Sequence, residues 1–398
     1  MWCRIVFSLG WVLATSGVAW SGGPCAEVKL SAAAKAKPTT SITHVMDAVE
    51  AVGKPQKLSL AMFPGRLFAQ PVKVDPGQHP IGGPHVEFSF WLLWPGATVK
   101  GAQAIHHAEL SLCRGATTLE TTRLGRQALL AREHKLLSGV MKARKKTALT
   151  TQHHVVIPTQ LGVDSLVLRV SWTADGSTRR GYRVAVESGR PKTRLRLPLK
   201  GWFVALATHT LADHHRGSPG EWYAFDFLST DAQGAWLKDT KWENRSFVGW
   251  EQPLLAVADG TITDCRDDIP DNKRPMDVPN MTEFYKKYGP RNRSAGGTFV
   301  VIDHGNGEFS YYAHLRQGSL KVKKGERVKV GQVLGLMGNS GHSGAPHLHY
   351  HLMACATPFA CTGVPAYFHD VLTPFTKKPA VYRPARGIPV KSAPPPKP

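Results

Sequence analysis

Pro346-His347-Leu348-His349-Tyr350-His351-Leu352 alternates imidazoles with apolar and aromatic β-formers. That alternation predicts a strand, on which side chains two apart share a face. His347, His349 and His351 then project together, an unfavourable crowding unless something uses the imidazoles. Zinc is the ion this donor type suits: neutral imidazole nitrogens at about 2.0–2.1 Å, with three protein ligands and one open position for water in a catalytic site. By itself His-x-His is a weak signal, because two histidines on a strand are more often ordinary polar groups.

The flanking sequence sharpens the reading. Residues 297–315, Gly-Thr-Phe-Val-Val-Ile-Asp-His-Gly-Asn-Gly-Glu-Phe-Ser-Tyr-Tyr-Ala-His-Leu, form two β-prone runs around Gly305-Asn306-Gly307, a hairpin signature with His314 ending the second strand. Regularly spaced glycines from Gly318 to Gly341 then punctuate short Val- and Leu-bearing strands, as in a compact all-β core.

Ala256-Val-Ala-Asp-Gly-Thr-Ile262, Tyr312-Ala-His314-Leu315, Val330-Gly-Gln-Val-Leu-Gly335, Gly338-Asn-Ser-Gly341 and Pro346-His347-Leu348-His349 follow one another in order. Together they resemble the lysostaphin-like (LytM-type) zinc metalloendopeptidases, peptidoglycan hydrolases of bacterial cell-wall metabolism. The likeness reaches back to about Trp202 and covers somewhat under half the chain. It implies a small antiparallel β-sheet groove with zinc (Zn2+) on its floor. His349, the second histidine of His-x-His, would ligate the metal. His347 and His314 would stand beside a zinc-activated water, take its proton and stabilise the oxyanion. The bond cut would be a peptide bond of peptidoglycan.

One position departs from the family pattern. The family commonly carries His-x-x-x-Asp on a strand, and Trp222-Tyr-Ala-Phe-Asp226-Phe227 is the matching run. Asp226 fits the carboxylate ligand, but Trp222 stands where the histidine belongs, and an indole N–H only donates. Replacement ligands lie just upstream, in Asp213-His214-His215-Arg216-Gly217-Ser218-Pro219-Gly220-Glu221. His215 is the expected third ligand, with His214 and Glu221 as alternatives. His351 is expected to line the groove or support a ligand, because a fourth protein ligand would close the site to water. His304 is expected in a turn-side polar role, and His342 in an exposed loop.

Before residue 200 the pattern is β-rich. Residues 67–74, 85–93, 108–112, 166–172 and 181–186 read as strands, with a tight turn at 174–177. The fold class expected is therefore mainly β: a β-sandwich-like N-terminal domain ahead of the C-terminal groove. The segments read as 1–21 signal peptide, 22–57 linker and short helix (42–52), 58–199 β-rich accessory domain, 200–376 zinc endopeptidase domain, and 377–398 Pro/Lys-rich disordered tail. Residues 121–146 are loosely helical in spacing and end in a basic run, read as a solvated helix or loop.

Composition sets the compartment and partners. Arg4, an apolar run too short for a confident transmembrane span, and Ala19-Trp20-Ser21 read as a Sec-type signal, so the protein is expected to be secreted, periplasmic or in the cell envelope. With 398 residues, there is room for two globular units. The formal charge of +21 favours an anionic partner, here anionic envelope polymers rather than a specific nucleic acid. Cys355 and Cys361 could close a short disulfide loop, whereas Cys113 and Cys265 read as small buried residues. Two rival functions share these features. One is a catalytically inactive peptidoglycan-binding scaffold or hydrolase activator of the same fold. The other is a biotinyl- or lipoyl-type carrier, which leaves the histidines unexplained.

Overall fold

The computed structural model describes residues 24–27, 61–63, 66–72, 85–95, 106–125, 148–158, 161–171, 179–188, 190–207, 215, 219–359, 361–376 and 378–393. The leader, the linker, the 42–52 helix, the 174–177 turn, the basic run after residue 125 and His214 lie outside these residues. Two compact units part at residues 189–190. Among the described residues no helix is long and apolar enough to cross a membrane.

The first unit contains β1 (Ala61–Phe63), β2 (Arg66–Val72), β3 (His85–Pro95), β4 (His107–Arg114), β5 (Thr117–Gly125), β6 (Ala148–Pro158), β7 (Ser165–Ser171) and β8 (Arg179–Ser188). Their order is β1-β3-β2-β8-β7-β4-β5, with β6 also on β3. β2 is shared: residues 66–69 run parallel to β8, and residues 70–72 pair antiparallel with β3. β2 thus links the β1-β3-β6 strands to the β8-β7-β4-β5 strands in one eight-stranded sheet. Residues 121–125, read as the start of a helical stretch, are strand instead, because the Thr-rich run pairs along β4. Cys113 is also corrected. It is disulfide-bonded to Cys25, and the pair packs on Val167.

The second unit contains β9 (Trp202–Ala207), β10 (Phe225–Thr230), β11 (Pro253–Leu255), β12 (Gly260–Arg266), β13 (Thr298–Asp303), β14 (Phe309–Leu315), β15 (Arg327–Val328), β16 (Val333–Leu336), β17 (Leu348–Met353), β18 (Gly363–Val364), β19 (Phe368–Leu372), β20 (Ala380–Tyr382) and β21 (Lys391–Ser392). The main sheet runs β15-β12-β13-β14-β17-β10-β9, with β18 on β17. Its pairings are antiparallel, as expected for the groove. One face is an aromatic core: Phe225 and Phe227 stack at 5.1 Å, and Phe368 packs on Tyr350 at 5.7 Å. Each such ring is fully buried, contributing roughly 1.5–3 kcal/mol on area grounds.

Two segment boundaries move. Residues 190–199 belong to the second unit, where Leu195, Leu197 and Leu199 are buried and Arg196 N–H donates to the Val257 carbonyl at 2.8 Å. The described tail residues, 378–393, are ordered: β20 and β21 flank β19, and Val390 is buried while exchanging two backbone hydrogen bonds with Phe203. An apolar valine opposite an unpaired stretch of β9 outweighs the proline-rich composition that suggested disorder.

Candidate active site

Strand alternation delivers the site. On β17, Leu348, Tyr350 and Leu352 turn to the core, so His349 and His351 take the other face. On β10, Asp226 lies between core-facing Phe225 and Phe227, and antiparallel register sets it directly opposite His349. His349 Nδ1 lies 3.0 Å from Asp226 Oδ1, and His215 Nε2 lies 3.4 Å from Asp226 Oδ2. The His215 and His349 rings meet edge-on at 4.9 Å, and all three residues are buried. His215 and His349 thus each place a ring nitrogen close to an Asp226 oxygen, donors of the kinds zinc takes.

Glu221 is a second carboxylate in reach. The donor atoms of His215, Glu221 and His349 lie within 4.8 Å of one another, which also makes a candidate set. Glu221 is also engaged elsewhere: its Oε2 accepts from Arg291 at 2.9 Å, and its Oε1 stays 4.0 Å from His349 Nε2. Asp226 is the carboxylate nearer to His349, at 3.0 Å against 4.0 Å for Glu221.

The run 222–227 was read as one strand, but β10 begins at Phe225. Pro219–Glu221 is a 3₁₀ turn, closed by Ala224 N–H donating to the Glu221 carbonyl, and Trp222 is buried in the turn that follows. Gly220 packs so closely on the Cys361 carbonyl and Phe359 that a Cβ would sit 2.9 Å from that oxygen. This contact draws the chain out of the sheet before Asp226. Strand spacing therefore does not govern position 222, and the imidazole beside Asp226 is that of His215.

His314 reaches the site through a bulge. Between the Thr298–Leu315 and Val300–Tyr312 pairs, Ala313 and His314 oppose Phe299 alone, and His314 takes φ 64°. Such a bulge re-aims side chains that strict alternation would bury on the far side. His314 Nδ1–H donates to the Ser340 carbonyl at 2.8 Å, which leaves Nε2 as a lone pair. Burial, then the neighbouring His347 and His349, hold its pKa well below the ordinary value.

His347 stands 4.8 Å from His314, ring to ring. Its Nδ1–H donates to the Ala345 carbonyl at 2.7 Å, and its Nε2 lies 3.5 Å from Asp226 Oδ1. Burial opposes charge on this ring, but Asp226 and the Ala345 carbonyl outweigh it and raise the pKa. Two imidazoles side by side with opposite shifts are suited to opposite proton-transfer roles.

Ser340 holds this arrangement, and the sequence reading gave it no role. Its hydroxyl accepts from Thr298 N–H at 2.9 Å and donates to the Leu315 carbonyl at 2.6 Å, while its own carbonyl fixes His314. Gly297 and Gly341, both at positive φ, let the two segments touch. A Cβ on Gly297 would meet Ser340 Oγ at 2.2 Å, and one on Gly341 would meet Gly297 N at 2.4 Å. His342 is exposed as expected, and His304 holds a turn-side polar role, with Nδ1 on the Asp259 carbonyl and Nε2 on Ser310 Oγ, each at 2.8 Å. Cys355 and Cys361 form the expected short disulfide, and Cys265 is free but only half-buried.

A β-sheet floor carrying two imidazoles and a carboxylate, with two more imidazoles beside them, offers donors of the kinds a zinc ion takes. Residues 284–360 match Peptidase family M23, and the second unit carries a domain of that family. Its relatives include proteins named as peptidoglycan endopeptidases. Peptidoglycan DD-endopeptidase ShyA of Vibrio cholerae is 46% identical over 68 residues, covering 17% of this chain and 15% of that protein. Glycyl-glycine endopeptidase ALE-1 of Staphylococcus capitis is 37% identical over 107 residues, covering 27% of this chain and 23% of that protein. The chain thus spans less than a quarter of the length of either relative. Among solved structures, the lysostaphin catalytic domain from Staphylococcus simulans aligns at 18% identity over 41% of this chain and 88% of that domain, with a TM-score of 0.24.

Proposed function

We propose that this protein is a zinc metalloendopeptidase that hydrolyses peptide bonds of bacterial peptidoglycan. The observation that carries the reading is the convergence of His215 Nε2 and His349 Nδ1 on the two oxygens of Asp226, at 3.4 and 3.0 Å. These residues would hold the ion. Zinc there would supply Lewis acidity toward the scissile carbonyl and a water acidified to a pKa of about 7.

The chain's own groups do the rest. His314, neutral and with Nε2 unprotonated, can accept the proton of the attacking water. His347, its Nδ1–H tied to Ala345, can donate from Nε2 to oxygen as the carbonyl carbon becomes tetrahedral. Hydrolysis adds water across the amide, leaving a carboxylate on one fragment and an amine on the other. The backbone carbonyls of Ser340 and Ala345 each hold one ring through its Nδ1–H, so neither ring must reorient during the reaction.

Action on peptidoglycan needs a chain outside the cytoplasm. The leader-like residues 1–21 and the two disulfides support export. The net charge of +21 would hold the protein near anionic envelope polymers. Elemental analysis of the purified protein tests the reading. About one zinc per chain is expected, lost in His349→Ala, Asp226→Ala and His215→Ala. A wild-type protein that takes up no zinc on supplementation would remove the enzyme reading and leave the inactive scaffold.

A further inference from the structure

His351 is buried completely beneath the site and takes no part in the mechanism above. Its Nδ1 lies 3.0 Å from His349 Nε2, with the two rings edge-on at 88°. Tyr311, directly across from it on β14, and Phe359 enclose its ring at 5.1 and 6.3 Å. We propose that His351 is the positioning residue of the metal ligand His349, accepting the His349 Nε2–H and so keeping the Nδ1 lone pair aimed at the Asp226–His215 side. This rests on the zinc reading of the preceding subsection.

The argument is one of hydrogen counting. Two imidazole nitrogens 3.0 Å apart need a single N–H between them. Without metal, the pair can run from His351 Nδ1–H to His349 Nε2, and from His349 Nδ1–H to Asp226 Oδ1. A metal ion needs the Nδ1 lone pair, so that proton must leave Nδ1. The neutral ring then carries its hydrogen on Nε2, where a nearby acceptor decides whether the tautomer is stable.

Glu221 cannot fill that role, since its Oε1 is 4.0 Å from Nε2, beyond hydrogen-bond length, and its Oε2 is bonded to Arg291. His351 Nδ1 is at bonding distance. Its own hydrogen then sits on Nε2, a buried atom with no hydrogen-bond partner among the described residues, so the reversal displaces no existing bond there. Both rings exchange tautomers, and the number of protons on the pair is unchanged.

Two substitutions in the full-length protein separate acceptor chemistry from packing. Phenylalanine at 351 fills the space without an acceptor. Asparagine puts its Oδ1 near the position of the imidazole Nδ1. Zinc dissociation constants are read by competition with a chromophoric chelator. His351→Phe is expected to weaken zinc about 10- to 100-fold, while His351→Asn stays within about threefold of wild type. Equal affinity in His351→Phe and wild type would overturn the proposal, as would an asparagine variant as weak as the phenylalanine one. Should the phenylalanine variant fail to fold, ¹⁵N imidazole spectra of wild type decide. In the zinc-loaded protein the His351 hydrogen must sit on Nε2, and a hydrogen on its Nδ1 contradicts the proposal. The zinc reading fails separately, if wild type binds no zinc or His349→Ala binds it undiminished.

Discussion

His314 and His347 face each other across 4.8 Å, and although His347 Nε2 also lies 3.5 Å from Asp226 Oδ1, the proposed roles of both rings are toward the water rather than the metal. Removing either imidazole should therefore separate binding from catalysis. His314→Ala and His347→Ala are expected to keep their zinc yet lose about 10²- to 10⁴-fold in cleavage rate, measured as fragments released from purified sacculi. Cleavage at the wild-type rate in both would contradict their roles. Ser340 offers a second check at this scale. Ser340→Ala strips the acceptor from the buried Thr298 N–H, which should cost about 1–3 kcal/mol in denaturant unfolding. Alternation along 346–352 made His347 and His349 legible in the sequence, and the mismatch at Trp222 pointed to His215. The role of Ser340 was not legible, because it acts through its backbone carbonyl and a loop contact that no periodicity records.

Among the elements, the bulge that carries His314 depends on the near-contact of Gly297 and Gly341. Gly297→Ala combines a positive φ with a Cβ 2.2 Å from Ser340 Oγ, so a loss of about 1–3 kcal/mol and a drop in activity are expected. Ala at Gly305, where φ is also positive but nothing lies within 4 Å of a Cβ, should affect stability alone. The hairpin's His304 makes a pH prediction. Burial lowers its pKa, so the fold favours the neutral ring bonded to the Asp259 carbonyl and Ser310. That contribution is complete above the unfolded value of about 6.5 and lost as pH falls through the lower folded value. Tm measured from pH 7.5 down to 5 should fall less steeply in His304→Gln than in wild type. The hairpin was readable because Gly305-Asn306-Gly307 punctuates two β-rich runs. The turn at 219–224 was not, because a tertiary contact of Gly220 overrides a run that looks like strand.

For the whole molecule, Leu195 and Val390 show that segments outside the expected domain limits complete the second unit. A fragment of residues 190–398 should therefore fold and bind zinc, whereas one ending at residue 376 loses β20, β21 and the Val390–Phe203 pairing and should melt lower. Circular dichroism of the two fragments checks this. Composition misled at both ends. Proline and lysine suggested disorder where a single buried valine anchors the chain, and Cys25 and Cys113, 88 residues apart, gave no spacing signal for their bond. The central claim is that this assembly cuts peptidoglycan peptides with a metal held by His215, Asp226 and His349. Mass spectrometry of purified sacculi incubated with the zinc-loaded protein tests it most directly. The expected products carry new amino and carboxyl termini at cleaved peptide bonds, vanish with His349→Ala, and return when zinc is restored to the chelator-stripped wild type. A zinc-loaded wild type that binds sacculi but releases no more than the His349→Ala protein would contradict the claim.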